Sequence, residues 1–328
     1  MRLRRIAPLS VLALSALVLA GCAGGAPTAS STPSATPSST ADAACSFDAP
    51  AGATSDAVQV EGVGADATVT LAADLPFAAL ERTVLTEGDG EDLAAGDLVS
   101  VSYQIIDSTT GKAIETSVTN PAGDDGLVAM QLDAQTMSIF VAALECAPLG
   151  SQTVLAIPAN LLGEGASPLV IVAQATEALP TTATGAEQDP TEGFPDVTFA
   201  DDGRPTVTIP DAEAPTTTQI ALLKKGDGPT VGVGDTVYVQ YEGVKWSDGT
   251  VFDSSWERGM PTGFPTTGVV EGFGAALEGQ QVGSQVIVVI PPAAGYGASE
   301  GHELQNETLV FVVDILAVQH VAGAAVTE

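Results

Sequence analysis

The chain has 328 residues, 45% of them hydrophobic, with 10 Lys plus Arg against 41 Asp plus Glu and a formal charge of −31. A surface this acidic repels nucleic acid and anionic lipid headgroups, and no basic patch opposes it, so no nucleic-acid partner is expected. The length accommodates two domains of ordinary size, each with its own core.

Arg2, Arg4 and Arg5 open the chain and precede the apolar run VLALSALVLA, which stops at Gly21-Cys22. A basic start and a hydrophobic segment too short for a comfortable membrane span read as a secretion signal over residues 1–21. Its end, LAGC, resembles the bacterial lipobox, in which the cysteine is lipid-modified and becomes the new N-terminus. That reading makes Cys22 a lipid anchor; the alternative is an ordinary signal peptide with an incidental cysteine. Residues 22–44 are rich in Ser, Thr, Pro and Ala without an apolar period, which is the composition of a disordered tether. An anchor followed by a tether puts the mature chain on the outer face of the cell membrane, touching it through the lipid only.

Cys45 and Cys146 remain once Cys22 is lipidated. In an oxidising compartment they are expected to form a disulfide, the alternative being two buried free thiols. Two distant cysteines and two isolated histidines, His302 and His320, have no metal-ligand spacing. No metal site is expected, and each histidine reads as a surface or loop residue.

The next feature is internal similarity. DLVSVSYQIIDSTTGKAIETS, Asp97 to Ser117, aligns without a gap on DTVYVQYEGVKWSDGTVFDSS, Asp235 to Ser255, at an offset of 138 residues. TVLTEGDG lies over ALLKKGDG and TVTL over TVTI at the same offset, and FVAALECAPLGSQTVLAIP matches FGAALEGQQVGSQVIVVIP at an offset of 133. Identical order over more than a hundred residues points to duplication, with copies at 45–180 and 190–328. The Pro, Thr and Gly between them mark residues 181–189 as a linker.

Each copy reads mostly as strand. In TVYVQYEGV, Val237, Val239 and Tyr241 face one way and Tyr238, Gln240 and Glu242 the other. SQVIVVI and TLVFVVDILAV are β-branched runs of strand length, the second keeping Leu309, Phe311, Val313 and Ile315 on one face. One short helix per copy is expected, with Phe273, Ala276 and Leu277 at i, i+3 and i+4 and Gly279 and Gly283 bounding its end. The fold class is therefore α+β, with an antiparallel sheet wrapped around one short helix in each of two domains.

GDTVYVQYEG, DGTVFDSS, VVEGFGAALEGQQVGSQ, IPPAAGYG and TLVFVVDIL stand in the order and near the spacing of FKBP-type peptidyl-prolyl cis-trans isomerases. The second copy resembles that family from about Ile220 to Leu316, the first more faintly. The resemblance implies an isomerase acting on X-Pro segments of unfolded or extracytoplasmic proteins, without a cofactor, and open to macrolide inhibitors of the family. It also implies a proline pocket lined by Tyr241, Phe252, Asp253, Phe264, Val269, Val270, Phe273, Tyr296 and Phe311. Phe273 would be the floor, Phe252 and Phe311 walls, Val270 a backbone donor, Tyr296 a hydroxyl donor, and Asp253 a neighbour of the rotating amide. Plain core packing is the alternative for Phe273 and Phe311, and a turn cap for Asp253 with its two following serines.

Such chemistry needs no nucleophile, metal or phosphate loop. Rotation about X-Pro is slow because it breaks amide resonance worth about 18–20 kcal/mol. A site that desolvates the amide disfavours the planar, more dipolar form relative to the twisted one. Departures from the family are Thr262 at a position often aromatic, with Phe264 as a substitute, and a shorter loop in which Glu303 or Leu304 falls at a substrate contact. The first copy keeps Tyr103 and Phe140 but has Ile114, Glu115 and Ile171 where the second has Phe252, Asp253 and Phe311, and it has no counterpart of Tyr296. It reads as a fold kept for structure or binding. The rival functions are a non-catalytic chaperone or peptide-binding protein on the same grooves and a structural envelope lipoprotein.

Overall fold

The computed structural model describes residues 45–47, 49–117 and 127–320. The signal segment, Cys22 and the tether lie outside the described residues. No helix among the described residues is long and apolar enough to cross a membrane.

Chain order gives β1 (Gln59–Glu61), β2 (Thr68–Thr70), β3 (Glu81–Thr86), β4 (Leu98–Asp107), β5 (Lys112–Thr116), β6 (Val128–Gln131), α1 (Ser138–Leu144), β7 (Gln152–Ile157) and β8 (Leu169–Ala178). There follow β9 (Ala186–Glu187), β10 (Asp196–Phe199), β11 (Pro205–Thr208), β12 (Gln219–Lys225), β13 (Thr236–Lys245), β14 (Val251–Ser254), α2 (Ser255–Arg258), β15 (Thr262–Pro265), α3 (Glu271–Leu277), β16 (Gln285–Ile290) and β17 (Leu309–Gln319). The first sheet runs β3-β7-β8-β4-β5 with β6 on β4, and the second runs β14-β13-β17-β16-β12-β9 with β15 on β13. Read in one direction, the strand order of the two sheets is the same, the second gaining β9 at its edge.

Alternation decides which side chains meet which layer. Val237, Val239 and Tyr241 of β13 join Leu309, Phe311, Val313 and Ile315 of β17 in one core against Phe273, Ala276 and Leu277 of α3. The helix comes close because it is glycine-rich on that side: a Cβ on Gly272 would stand 2.6 Å from Ile290. The opposite face is covered as well. Ile287, Val289, Val310 and Val312 lie under Val197 and Val207 of the β10–β11 hairpin. Val154, Val170 and Val172 of the first sheet lie likewise under Val60 and Val69 of β1–β2. This explains why β13 and β17 are buried along nearly their whole length, although β13 carries Gln240 and Glu242 on its second face.

Two observations go beyond the sequence reading, and a third, the disulfide, agrees with it. The second sheet carries two short helices, because α2 follows β14 with Ser254 as its cap. Part of the expected linker, Ala186–Glu187, is an edge strand paired with Lys225 and Lys224 of β12. Cys45 and Cys146 are joined by a disulfide. Cys146 has φ 59° where the aligned Gly279 has φ 79°, so both segments make the same left-handed turn after their short helix.

Candidate functional site

A cavity of about 400 Å³ opens on the α3 side of the second sheet. Its lining comes from seven segments: Tyr241 on β13, Asp253 on β14, Phe264 on β15, Gly268, Val269 and Val270 before α3, Phe273 on α3, Gly295, Tyr296 and Ser299 in the following loop, and Phe311 on β17. Eight of the nine residues expected to line a pocket are therefore brought together. Phe273 is the hub. Its ring meets Phe311 at 4.8 Å, Phe264 at 5.5 Å and Tyr241 at 5.9 Å between centroids, each nearly edge-on, the geometry aromatic rings prefer.

Phe252 is the exception, for it does not line the cavity. It packs edge-on against Phe311, with centroids 5.4 Å apart. Gly243 makes room for both rings, because a Cβ there would stand 2.7 Å from Phe311 and 2.8 Å from Phe252. Gly243 is paired with Phe311 in register on one side and Asp253 on the other. Leu304 also departs from its expected place at a substrate contact, since it is buried in the core below the loop. Thr262 does not line the cavity either; Phe264 takes the aromatic position.

One charged edge lies within this lining, apart from the hydroxyl-bearing Tyr296 and Ser299. The Tyr241 hydroxyl donates to Asp253 Oδ2 at 2.6 Å, and Arg258 Nη1 donates to Asp253 Oδ1 at 2.5 Å. Arg258 Nη2 also donates to the Tyr241 oxygen at 2.8 Å. Both carboxylate oxygens are thus engaged, and the charge of Asp253 is balanced by a guanidinium beside it. Burial pushes the Tyr241 phenol up to about 12, and its hydrogen bond to Asp253 adds to the shift. Tyr241 therefore stays a protonated donor over the whole physiological range.

Tyr296 is held differently. Its ring lies flat on the His302 imidazole, centroids 4.1 Å apart and 4° from parallel. His302 Nδ1 in turn accepts from the backbone N–H of Leu304 at 3.1 Å. His302 is an exposed loop residue, as expected, with this stacking added. His320 departs from the expected surface or loop place: it is buried, with Nδ1 2.6 Å from Asp235. Sequence alone does not point to Arg258, Gly243 or the stacking of His302. The available signals are a lone arginine five residues after Asp253 and a glycine inside an otherwise bulky strand.

At the aligned place in the first sheet the side chains differ in kind. Tyr103 donates to Glu115 at 2.7 Å and sits 4.7 Å from Phe140. Ile105 stands where β13 has Gly243, and it faces Ile171 across the ladder. Val99 faces Met130, as Val237 faces Phe264. Ile171, Met130 and Phe140 are all buried, whereas Ile114 is exposed.

Residues 228–316 match the family model described as FKBP-type peptidyl-prolyl cis-trans isomerase. A probable FK506-binding protein of Corynebacterium glutamicum is 40% identical over 93 residues, covering 28% of this chain and 79% of the relative. The chain belongs to the FKBP-type peptidyl-prolyl cis-trans isomerases. An FK506-binding protein of Streptomyces anulatus is also 40% identical, over 99 residues, with 29% of this chain and 80% of the relative covered. The peptidyl-prolyl cis-trans isomerase Mip of Coxiella burnetii is 37% identical over 103 residues, covering 31% of this chain and 44% of that protein. As an FKBP-type enzyme, the chain is an isomerase (a rotamase) of peptidyl-prolyl bonds.

Proposed function

We propose that isomerisation takes place in the cavity of residues 190–328 and serves secreted or cell-surface proteins with X-Pro segments. The observation that carries this reading is the convergence of Tyr241, Phe264, Phe273 and Phe311 on one cavity with a single charge-balanced polar edge. A proline ring fits an aromatic floor, and the amide before it loses its water on entering. Desolvation raises the planar amide relative to the twisted form, whose carbonyl is less polar. Val270 would offer its N–H to a substrate carbonyl and Tyr296 its hydroxyl, while Asp253, tied to Arg258 and Tyr241, would set the field beside the rotating bond. No proton moves and no bond to the enzyme forms. The same cavity would take macrolides of the kind that inhibit the family.

We further read the chain as two FKBP-like domains. The one at 45–180 would serve structure or binding, because Ile105, Met130 and Ile171 fill positions that Gly243, Phe264 and Phe311 occupy in the other. A proline-limited peptide assay tests the cavity. Tyr296→Phe removes one hydroxyl and should lower the rate about fivefold, equivalent to about 1 kcal/mol, while Phe273→Ala should cost more. A folded Phe273→Ala variant with full activity would sink the reading.

The LAGC sequence supports attachment to the outer face of the membrane through a lipid on Cys22. Cys22→Ser should shift the protein from the membrane fraction to the medium, or leave the signal uncleaved. A wild-type protein found wholly in the medium with an unmodified N-terminus would exclude the anchor.

A further inference from the structure

Arg204 lies in the turn between β10 and β11, outside the residues that match the family, 228–316. Its guanidinium joins two elements of the isomerase sheet. Nε donates to Glu242 Oε2 at 2.8 Å and Nη2 to Glu257 Oε1 at 3.0 Å. Glu242 follows Tyr241 on β13, and its side chain is only 4% exposed. Glu257 belongs to α2 and precedes Arg258, the residue that holds Asp253 and the Tyr241 hydroxyl at the cavity edge.

The helix between these groups cannot hold itself. Four residues make a single turn, for which nucleation is unfavourable without outside contacts. Its contacts converge on the same place. The Ser254 hydroxyl caps the helix by accepting from Glu257 N at 3.3 Å, and it donates to Glu242 Oε2 at 3.3 Å. Trp256 reaches the same hairpin turn, since a Cβ on Gly203 would lie 3.3 Å from its ring. An exposed ion pair alone would mean little, and the Glu257 arm is exposed. The Glu242 arm ends on a buried carboxylate that Arg204 neutralises, which fixes the guanidinium in place.

We propose that Arg204 is a positioning residue for isomerisation: from the accessory hairpin it fixes α2, so that Arg258 holds Tyr241 and Asp253 in their places. This rests on the reading of the cavity as the catalytic site. The hairpin is then a working part of the enzyme and more than a cover for the back of the sheet.

Full-length variants test it. Arg204→Ala leaves Glu242 buried without its partner and can lower stability, so two milder changes accompany it. Glu257→Gln breaks only the α2 arm, and Arg204→Lys keeps a charge for Glu242 but lacks the fork that spans both carboxylates. Both should keep the unfolding midpoint near wild type and lower kcat/KM about threefold to tenfold. Arg258→Ala should lower it as well, and adding Arg204→Ala to Arg258→Ala should cost no further activity, because the first acts through the second. Multiplying losses in the double variant, or wild-type activity in both Glu257→Gln and Arg204→Lys, would overturn the proposal. Phe273→Ala separates the two readings. If it is inactive while the Arg204 series is fully active, the cavity stands and Arg204 does not position it. If Phe273→Ala is fully active too, the cavity reading itself is wrong.

Discussion

Tyr241 is tied to the site by bonds that sequence could anticipate only in part. The alternation of β13 puts it on the core face, and its place near Phe273 and Phe311 follows from that. Its hydroxyl partner Asp253 comes from the next strand, and Arg258 from a turn whose helical character no periodicity announces. The same holds for Phe252, whose aromatic character reads as a pocket wall, although its ring is spent supporting Phe311 across Gly243. Composition shows that a ring is present, while the register shows which cavity it reaches. The raised phenol has a consequence for pH. In the unfolded chain Tyr241 ionises near 10, whereas in the fold burial and the Asp253 hydrogen bond hold it protonated to about 12. Between those values the unfolded state binds fewer protons, so stability present below pH 10 falls as pH rises toward 12. Tyr103 and Tyr238 are raised as well and push in the same direction. The melting temperature of wild type should drop over that window, and Tyr241→Phe should reduce the drop. An unfolding midpoint with equal pH dependence in both proteins would show that Tyr241 does not contribute.

At the level of elements, long β-branched runs such as TLVFVVDILAV were legible because one face must be apolar over eleven residues. Short elements were not. DVTF and PTVT are four residues each, too few for a period to show, yet they form the hairpin that covers the back of the second sheet. The linker composition marks a loop, and nothing local reveals that two of its residues will pair with an edge strand. The bridge between Cys45 and Cys146 acts on this scale, since it closes a loop with a sequence separation of 101 and ties the start of the described chain to the end of α1. Other bonds lie at the same spot: Ser46 N–H donates to Glu145 at 2.6 Å, and Arg82 donates to the Glu145 carbonyl at 2.6 Å. Replacing both cysteines by serine should therefore lower stability by less than the chain-entropy ceiling of about 4–5 kcal/mol. Denaturant unfolding of the oxidised protein and the double variant measures the difference. Identical midpoints would mean that the neighbouring bonds hold the segment without the bridge.

For the molecule as a whole, the two sheets repeat one strand order while their cores carry different side chains at the same ladder positions, and activity should divide accordingly. The division has to respect the edge strand. Ala183 N–H donates to buried Asp314, Gly185 N–H to the Gly283 carbonyl and Gln188 N–H to the Leu223 carbonyl. A fragment beginning at residue 190 loses all three bonds and the β9–β12 pairing, and it leaves Asp314 without one of its donors. Burial already raises the pKa of that carboxylate, so losing a donor makes its charged form harder to hold. Residues 181–328 should accordingly unfold at higher denaturant than residues 190–328, while the two show the same isomerase rate per folded molecule, because β9 stands away from the cavity lining. Residues 45–180 should show little or no activity, since Ile105 facing Ile171 replaces the glycine and aromatic pair that shape the cavity wall. A proline-limited refolding assay on the three fragments, each at a denaturant concentration where it remains folded, separates these outcomes. Activity in residues 45–180 equal to that of residues 181–328 would place catalysis outside the aromatic cavity and refute the assignment of the site.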